Sequence, residues 1–158
     1  MIKVSGWDDR DTAAMQEALT EARSAATQNE VPVGAVVVRG NSELARAHNR
    51  TVMDNDPCAH AEVLALRHAA KAVGNHRLNG ATVYVTLEPC AMCVGAMLQA
   101  RIARVVFAAY DDRAGAVGSV VDLSMVPEFN HRIEVNGGLL EEDSTALLQA
   151  FFEARRDA

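Results

Sequence analysis

The sequence predicts an α/β fold: a mixed sheet of about five strands between helices, in a three-layer α/β/α arrangement. Two observations carry this. Segments of helical period alternate with short runs rich in β-branched residues along the chain. The 158 residues are 49% apolar, enough for a substantial core. Residues 1–158 read as a single domain, without repeats, low-complexity tracts or long linkers.

Taken in order, Asp11 to about Gln28 reads as a helix. Met15, Leu19, Ala22 and Ala26 recur at helical spacing, and aspartates sit near its start. Val33–Val38 is a β-branched run ended by Gly40-Asn41, a hairpin-like turn, which makes Glu43–His48 its antiparallel partner. Ala59–Val73 is a helix closed by Gly74. Ala81–Leu87 alternates and is rich in β-branched residues, so it is a strand. Cys90–Ala100 is nearly all apolar and reads as a buried helix. Arg104–Ala109 is a strand. Gly115–Pro127 reads as a loop with a short helix, and Arg132–Val135 as a short strand. Leu140–Arg155 is an amphipathic helix, with Leu147–Phe151 and Leu148–Phe152 as i,i+4 pairs.

Composition narrows the function classes. Met1–Gly6 is short and mixed and Asp8–Asp11 is charged, which does not resemble a secretory signal. No apolar run approaches a membrane span. The expectation is a soluble, cytoplasmic protein with no membrane partner. Three cysteines in a reducing compartment disfavour a disulfide framework, so metal binding or catalysis is the better reading of the C-x-x-C pair. A net charge of −6 argues against non-specific nucleic-acid binding but leaves room for a local basic patch.

Two stretches carry the chemistry: "DPCAHAEVLAL" (Asp56–Leu66) and "TLEPCAMCVGAM" (Thr86–Met97). His60 and Glu62 are two apart. In mid-helix they would face different ways, but at a helix N-terminus both can reach forward. Cys90 and Cys93 stand three apart at the start of the next helix, after Pro89, which suits a helix start. Two positive helix ends are thus offered to one spot, and they favour thiolate. Two thiolates and one imidazole make a three-ligand zinc set. A structural zinc takes four protein ligands, whereas a catalytic one keeps a position for water. Zinc activates that water, and a neighbouring carboxylate, Glu62, can carry protons to the ring nitrogen and the leaving amine. H-x-E…P-C-x-x-C is the signature of zinc nucleobase deaminases.

Each motif alone is weak. A lone H-x-E is usually a surface or capping pair, and a lone cytosolic C-x-x-C can be a redox pair. Together, each opening an apolar helix, they mark one site. Glu88 is the rival carboxylate, but before Pro89 it is extended, and bonding backbone near the helix start is its expected role. Cys58 is expected as a small buried wall residue. His48, His68, His76 and His131 have no partner at metal-ligand spacing and read as surface or packing residues. Arg50, Arg113 and Arg132 are candidates for phosphate contacts.

At these residues the chain resembles the bacterial tRNA-specific adenosine deaminases, within the cytidine-deaminase-like superfamily. The likeness includes "EVPVGAVVV" (Glu30–Val38), "HNR" (His48–Arg50) and "DPCAHAE" (Asp56–Glu62). It continues with "RLNGATVYVTLEPCAMCVGAM" (Arg77–Met97), "RVVFAAYD" (Arg104–Asp111), "GAVGS" (Gly115–Ser119), "NHR" (Asn130–Arg132) and "FFEARR" (Phe151–Arg156). The resemblance implies the cytidine-deaminase-like fold, one Zn2+ per chain on His60, Cys90 and Cys93, and Glu62 as proton shuttle. It implies that Asn49 contacts the target base and that the Ala61 backbone N–H faces the reacting position. Asp111 and Asp112 fall in the segment that matches its RNA-contacting loop, where a carboxylate could accept from a ribose 2′-hydroxyl, and Asp111 and Arg113 are its substrate-binding candidates. It further implies a homodimer acting on a tRNA anticodon stem-loop, converting the wobble adenosine of an arginine tRNA to inosine. Cys58 departs from a more usual threonine, Glu43–Ala47 lacks the family's frequent glycines, and there is no basic tail after Arg156. The alternative is a deaminase of a free base or nucleoside, such as guanine or cytosine. A zinc-stabilised binding module conflicts with the three-ligand count and with Glu62. Apolar surplus on Cys90–Ala100 and Gly115–Val126 also suggests a self-complementary interface.

Overall fold

The computed structural model describes residues 7–156. Helix α1 (Asp9–Thr27) starts two residues earlier than its period suggested, because Asp8 and Asp11 form a reciprocal cap. The Asp11 backbone N–H donates to Asp8 Oδ1 at 2.8 Å, and the Asp8 N–H to Asp11 Oδ2 at 3.4 Å. Strands β1 (Gly34–Arg39) and β2 (Ser42–His48) form the expected hairpin, with a register shift between Val37 and Val38. There follow α2 (Ala61–Val73), β3 (Thr82–Leu87), α3 (Ala91–Gln99), β4 (Arg104–Ala109), a single 3-10 turn at Pro127–Phe129, β5 (Glu134–Gly137) and α4 (Glu141–Arg156).

The five strands make one mixed sheet in the order β2-β1-β3-β4-β5. β1 runs antiparallel to both β2 and β3, whereas β3, β4 and β5 are mutually parallel. Alternating side chains give the sheet two apolar faces. Ala35, Val37, Val83, Val85, Val105 and Phe107 pack toward α2 and α3. Val36, Tyr84, Val106 and Ala108 pack toward α1 and α4. Each fully buried valine or leucine contributes about 1.5–3 kcal/mol relative to exposure. Gly34 allows a close helix–sheet approach, since a Cβ there would overlap the Ala18 carbonyl of α1.

Four expectations need correction. α3 is buried on one side only: Cys93, Val94, Met97 and Leu98 face inward, whereas Ala91 and Gln99 are exposed. Its open side is an apolar groove that Leu123 and Phe129 flank. β5 begins at Glu134, not Arg132, because the preceding residues bond elsewhere. The Ile133 N–H donates to the Ser124 carbonyl at 3.0 Å, and His131 Nε2 meets the Ile102 carbonyl at 2.8 Å. α2 and α3 start at residues 61 and 91, because His60 and Cys90 are extended N-cap residues. Cys58 is exposed, not a buried wall. It lies on the loop before α2, where its N–H bonds Asp56 Oδ1 at 2.9 Å, in a turn held at the surface.

The topology gathers chain ends at one rim of the sheet. Since β1 is antiparallel to β3, its start lies beside the carboxyl end of β3, and Gly34 pairs with His48 at the end of β2. The carboxyl ends of β2, β3 and β4 therefore converge. Such rims are where open α/β sheets bind ligands.

Candidate metal and active site

Both motifs open helices at that rim. His60 is the N-cap of α2, and Ala61 and Glu62 are its first two residues. Cys90 is the N-cap of α3, and Cys93 lies in its first turn. Neither N-cap side chain caps its own helix. A Ser, Thr or Asp there would contribute about 1 kcal/mol, so these positions forgo local stability.

The three ligand atoms converge. His60 Nδ1 lies 3.5 Å from Cys90 Sγ and 3.4 Å from Cys93 Sγ, and the two sulfurs are 3.7 Å apart. Zinc bonds of ~2.3 Å to sulfur and ~2.0 Å to nitrogen at tetrahedral angles set edges of about 3.7 Å between sulfurs and about 3.5 Å between nitrogen and sulfur. The separations match that triangle, so the residues fit zinc. Among the described residues, this is the group of metal-ligating side chains gathered closely enough to hold an ion. Hydrogen bonding with Cys93 pulls the Cys90 thiol down to about 4, against the effect of burial. The bond to Cys90 in turn raises His60.

A cavity of about 240 Å³ opens beside the triad, lined by Asn49, Ala61, Glu62, Glu88 and Asp111 among others. Glu62 is only 4% exposed, and burial pushes its carboxyl up to about 7. That value suits a group exchanging protons near neutrality. As the first residue of α2, Ala61 has a backbone N–H with no acceptor within the helix.

Glu88 is 2% exposed and fully engaged. Its Oε1 accepts from the Asp111 N–H at 3.1 Å and from the Ser119 hydroxyl. Its Oε2 accepts from the N–H groups of Val117 and Ser119, at 3.3 and 3.1 Å. Four donors occupy the roughly four lone-pair positions of a carboxylate. It bonds backbone as expected, but that of the loop after β4 rather than its own helix start.

The remaining candidates divide. Asn49 is buried, and its Nδ2 donates to Glu30 Oε1 at 3.4 Å and Thr51 Oγ1 at 3.5 Å. Asp111 lines the cavity, but its Oδ1 accepts from the Arg113 and Ala114 N–H groups at 3.0 and 3.1 Å. Asp112 and Arg113 line a second cavity, of about 710 Å³. Arg50 is paired with Asp54 at 2.9 and 3.0 Å, and Arg132 is exposed on the approach to β5. His48 is half-buried, and His68 and His76 are exposed.

Sequence reasoning missed the second cavity. It is lined by Tyr110, Leu148, Phe152, Arg155 and Arg156, and shares Val31, Leu87 and Asp111 with the first. Arg155 lies 4.3 Å from the Phe151 ring centroid and donates to the Asn29 carbonyl at 2.5 Å. The i,i+4 phenylalanines of α4 were the available signal: only Ser144 of that helix is fully buried, which leaves apolar side chains for this wall.

The fold and the site together define a deaminase domain, and residues 9–156 match the family model of MafB19-like deaminases. The chain is 46% identical over 147 residues to the tRNA-specific adenosine deaminase of Bacillus subtilis, covering 93% of this chain and 91% of that one. It is 46% identical over 145 residues to the tRNA-specific adenosine deaminase of Agrobacterium fabrum, covering 92% and 95%. A solved structure from work on A-to-I editing by tRNA:A34 deaminases at the wobble position of transfer RNA superposes with a TM-score of 0.84 at 47% identity, covering 87% of this chain and 99% of that one. A guanine deaminase from Nitrosomonas europaea superposes at 0.75 with 26% identity, covering 95% and 86%. The chain belongs to the tRNA-specific adenosine deaminase family.

Proposed function

We propose that the chain hydrolytically deaminates adenosine to inosine at the wobble position of a tRNA anticodon, that of an arginine tRNA, with zinc held by His60, Cys90 and Cys93. When bound, the ion supplies an activated water nucleophile. Glu62 does the proton work. A carboxyl near 7 can hold a proton for the ring nitrogen and deliver one to the leaving amine. Asn49 bonds the base edge, since an amide both donates and accepts. The Ala61 N–H, free of an acceptor within the helix, bonds the polar atom at the reacting carbon.

The observation that carries the RNA reading is that the two cavities adjoin, with Val31, Leu87 and Asp111 lining both. A free base needs only the inner one. A base splayed from a loop brings neighbours, and the outer cavity offers them aromatic and arginine side chains. An anticodon loop already exposes its bases, so the unstacking cost is small. The functional unit is a symmetric homodimer. Val120, Val121, Met125 and Phe129 are about half exposed, and the open side of α3 lies beside Phe129. Among the described residues no helix is long and apolar enough to cross a membrane.

The test compares an arginine-tRNA anticodon stem-loop with its deoxy analogue, free adenosine and free guanine. Inosine at the wobble position, absent with Glu62→Gln, is the expected result. Equal or better turnover of a free base overturns the RNA reading and favours a free-base deaminase like the Nitrosomonas relative. A monomeric mass at micromolar concentration in sedimentation overturns the dimer.

A further inference from the structure

Glu30 is a carboxylate with no solvent exposure, just before β1, and no part of the chemistry above uses it. Burying a carboxylate is costly unless its bonds are satisfied. Three N–H groups satisfy this one. Its Oε1 accepts from Asn49 Nδ2 at 3.4 Å and the Val52 N–H at 3.2 Å, and its Oε2 from the Met53 N–H at 2.7 Å. Glu30 therefore ties together the side chain of Asn49, which lines the inner cavity, and the loop just after it.

We propose that Glu30 is a specificity-determining positioning residue, which fixes the orientation of the Asn49 amide toward the base. The inference rests on the reading that Asn49 touches the base. An ionised carboxylate only accepts, whereas an amide has a donating end and an accepting end. Glu30 can bond the Asn49 nitrogen but would repel its oxygen. One orientation is thereby selected: nitrogen toward Glu30, with one N–H on Glu30 Oε1 and the other on Thr51 Oγ1 at 3.5 Å, a bond that an accepting ring nitrogen can take over, and oxygen on the far side. The ring meets one hydrogen-bonding pattern instead of two. This matters because the ring nitrogens of adenine only accept, whereas guanine carries a donating ring N–H. A freely flipping amide would serve both. The backbone bonds to Val52 and Met53 keep Glu30 itself from rotating away.

The test uses the full zinc-loaded chain, with Glu30→Gln, Asn49→Ala and the double variant. Glutamine keeps the volume but can donate, so it accepts either end of the Asn49 amide. The readouts are zinc content, kcat and KM on the adenosine stem-loop, and the ratio of turnover between stem-loops carrying adenosine and guanosine at the target position. Glu30→Gln should retain zinc, lose about tenfold in kcat/KM for adenosine, as expected for one hydrogen bond, and narrow the ratio. In the Asn49→Ala background it should cost nothing further, because its effect runs through Asn49. The ratio does not depend on the folded fraction, so it remains decisive if the variant is unstable. Losses that multiply in the double variant overturn the proposal and leave Glu30 a structural residue. An impaired Asn49→Ala beside an unaffected Glu30→Gln overturns this inference alone. An unimpaired Asn49→Ala, or a wild type inactive on the adenosine stem-loop, overturns the functional reading and this inference with it.

Discussion

Replacing Glu88 with alanine separates the two buried carboxylates nearest the metal triad. The structure sets the magnitude. The substitution strips acceptors from three backbone N–H groups, those of Asp111, Val117 and Ser119, and from the Ser119 hydroxyl. Val117 is buried, so its unpaired N–H costs about 2 kcal/mol. Asp111 and Ser119 are partly exposed and regain water, leaving about 1 kcal/mol each. The total is about 4 kcal/mol, a large share of the 5–15 kcal/mol typical of a native protein. Glu88→Gln keeps one accepting oxygen but sets an NH2 against donors, and should cost about half as much. The assay is urea unfolding of the zinc-loaded protein, beside the single-turnover rate at saturating substrate. Glu88→Ala should lower the urea midpoint strongly while the folded fraction still turns over. An unchanged midpoint with abolished chemistry would refute the reasoning and make Glu88 the proton carrier in place of Glu62.

Cys93→Ala should bind well below one zinc per chain by elemental analysis and melt at a lower temperature, since metal binding is coupled to folding; full occupancy sinks the ligand assignment. Glu62→Gln should stabilise the metal-free protein at pH 8 and abolish turnover by the zinc-loaded protein. Burial raises the folded-state carboxyl from 4.5 to about 7, so ionising it opposes folding: the wild type's deficit is absent below the unfolded value, grows up to about pH 7 and is then constant. That shift corresponds to about 3 kcal/mol, and equal differences at pH 5 and pH 8 in urea titrations would count against it. Asp11→Asn acts in the opposite sense. Burial raises the Asp11 carboxyl, but hydrogen bonds from Tyr84 at 2.7 Å and Arg104 at 2.9 Å outweigh it, and the net shift is downward. Its stabilisation is therefore present above the unfolded carboxylate value and lost as pH falls through the lowered one. The variant should cost about 2–3 kcal/mol at pH 7, and the gap to wild type should close in acid.

What the sequence revealed was local, and what it hid was long-range. The ligand set could be read because each half is a short pattern at a helix start: His60 with Glu62, and Cys90 with Cys93. The hairpin was legible from Gly40-Asn41, and the strands from their β-branched runs. Residue type misled for Cys58, which is apolar in character but sits where Asp56 holds a surface turn. It also misled for α3, where an apolar sequence implied burial on every side and the fold covers only one. The Asp11–Arg104 pair closes across 93 positions, and no local pattern announces it.

The three glutamates near the inner cavity show the same limit, and what resolves it. In sequence, Glu30, Glu62 and Glu88 each stand beside apolar residues, and only Glu62 falls in a motif that gives it chemistry. In the structure all three are buried, so burial does not distinguish them. Their bonds do. Glu30 accepts three N–H groups from residues 19 to 23 positions away, fixing Asn49 and the wall beside it. Glu88 accepts four donors from the loop after β4, 23 to 31 positions away. A carboxylate committed to holding a wall cannot also shuttle protons without releasing that wall each turnover. Glu62 is desolvated, and burial pushes its carboxyl up to about 7. The bonding thus commits Glu30 and Glu88 to holding backbone and the Asn49 side chain, and leaves Glu62 as the carboxyl that the proposed proton transfer can use.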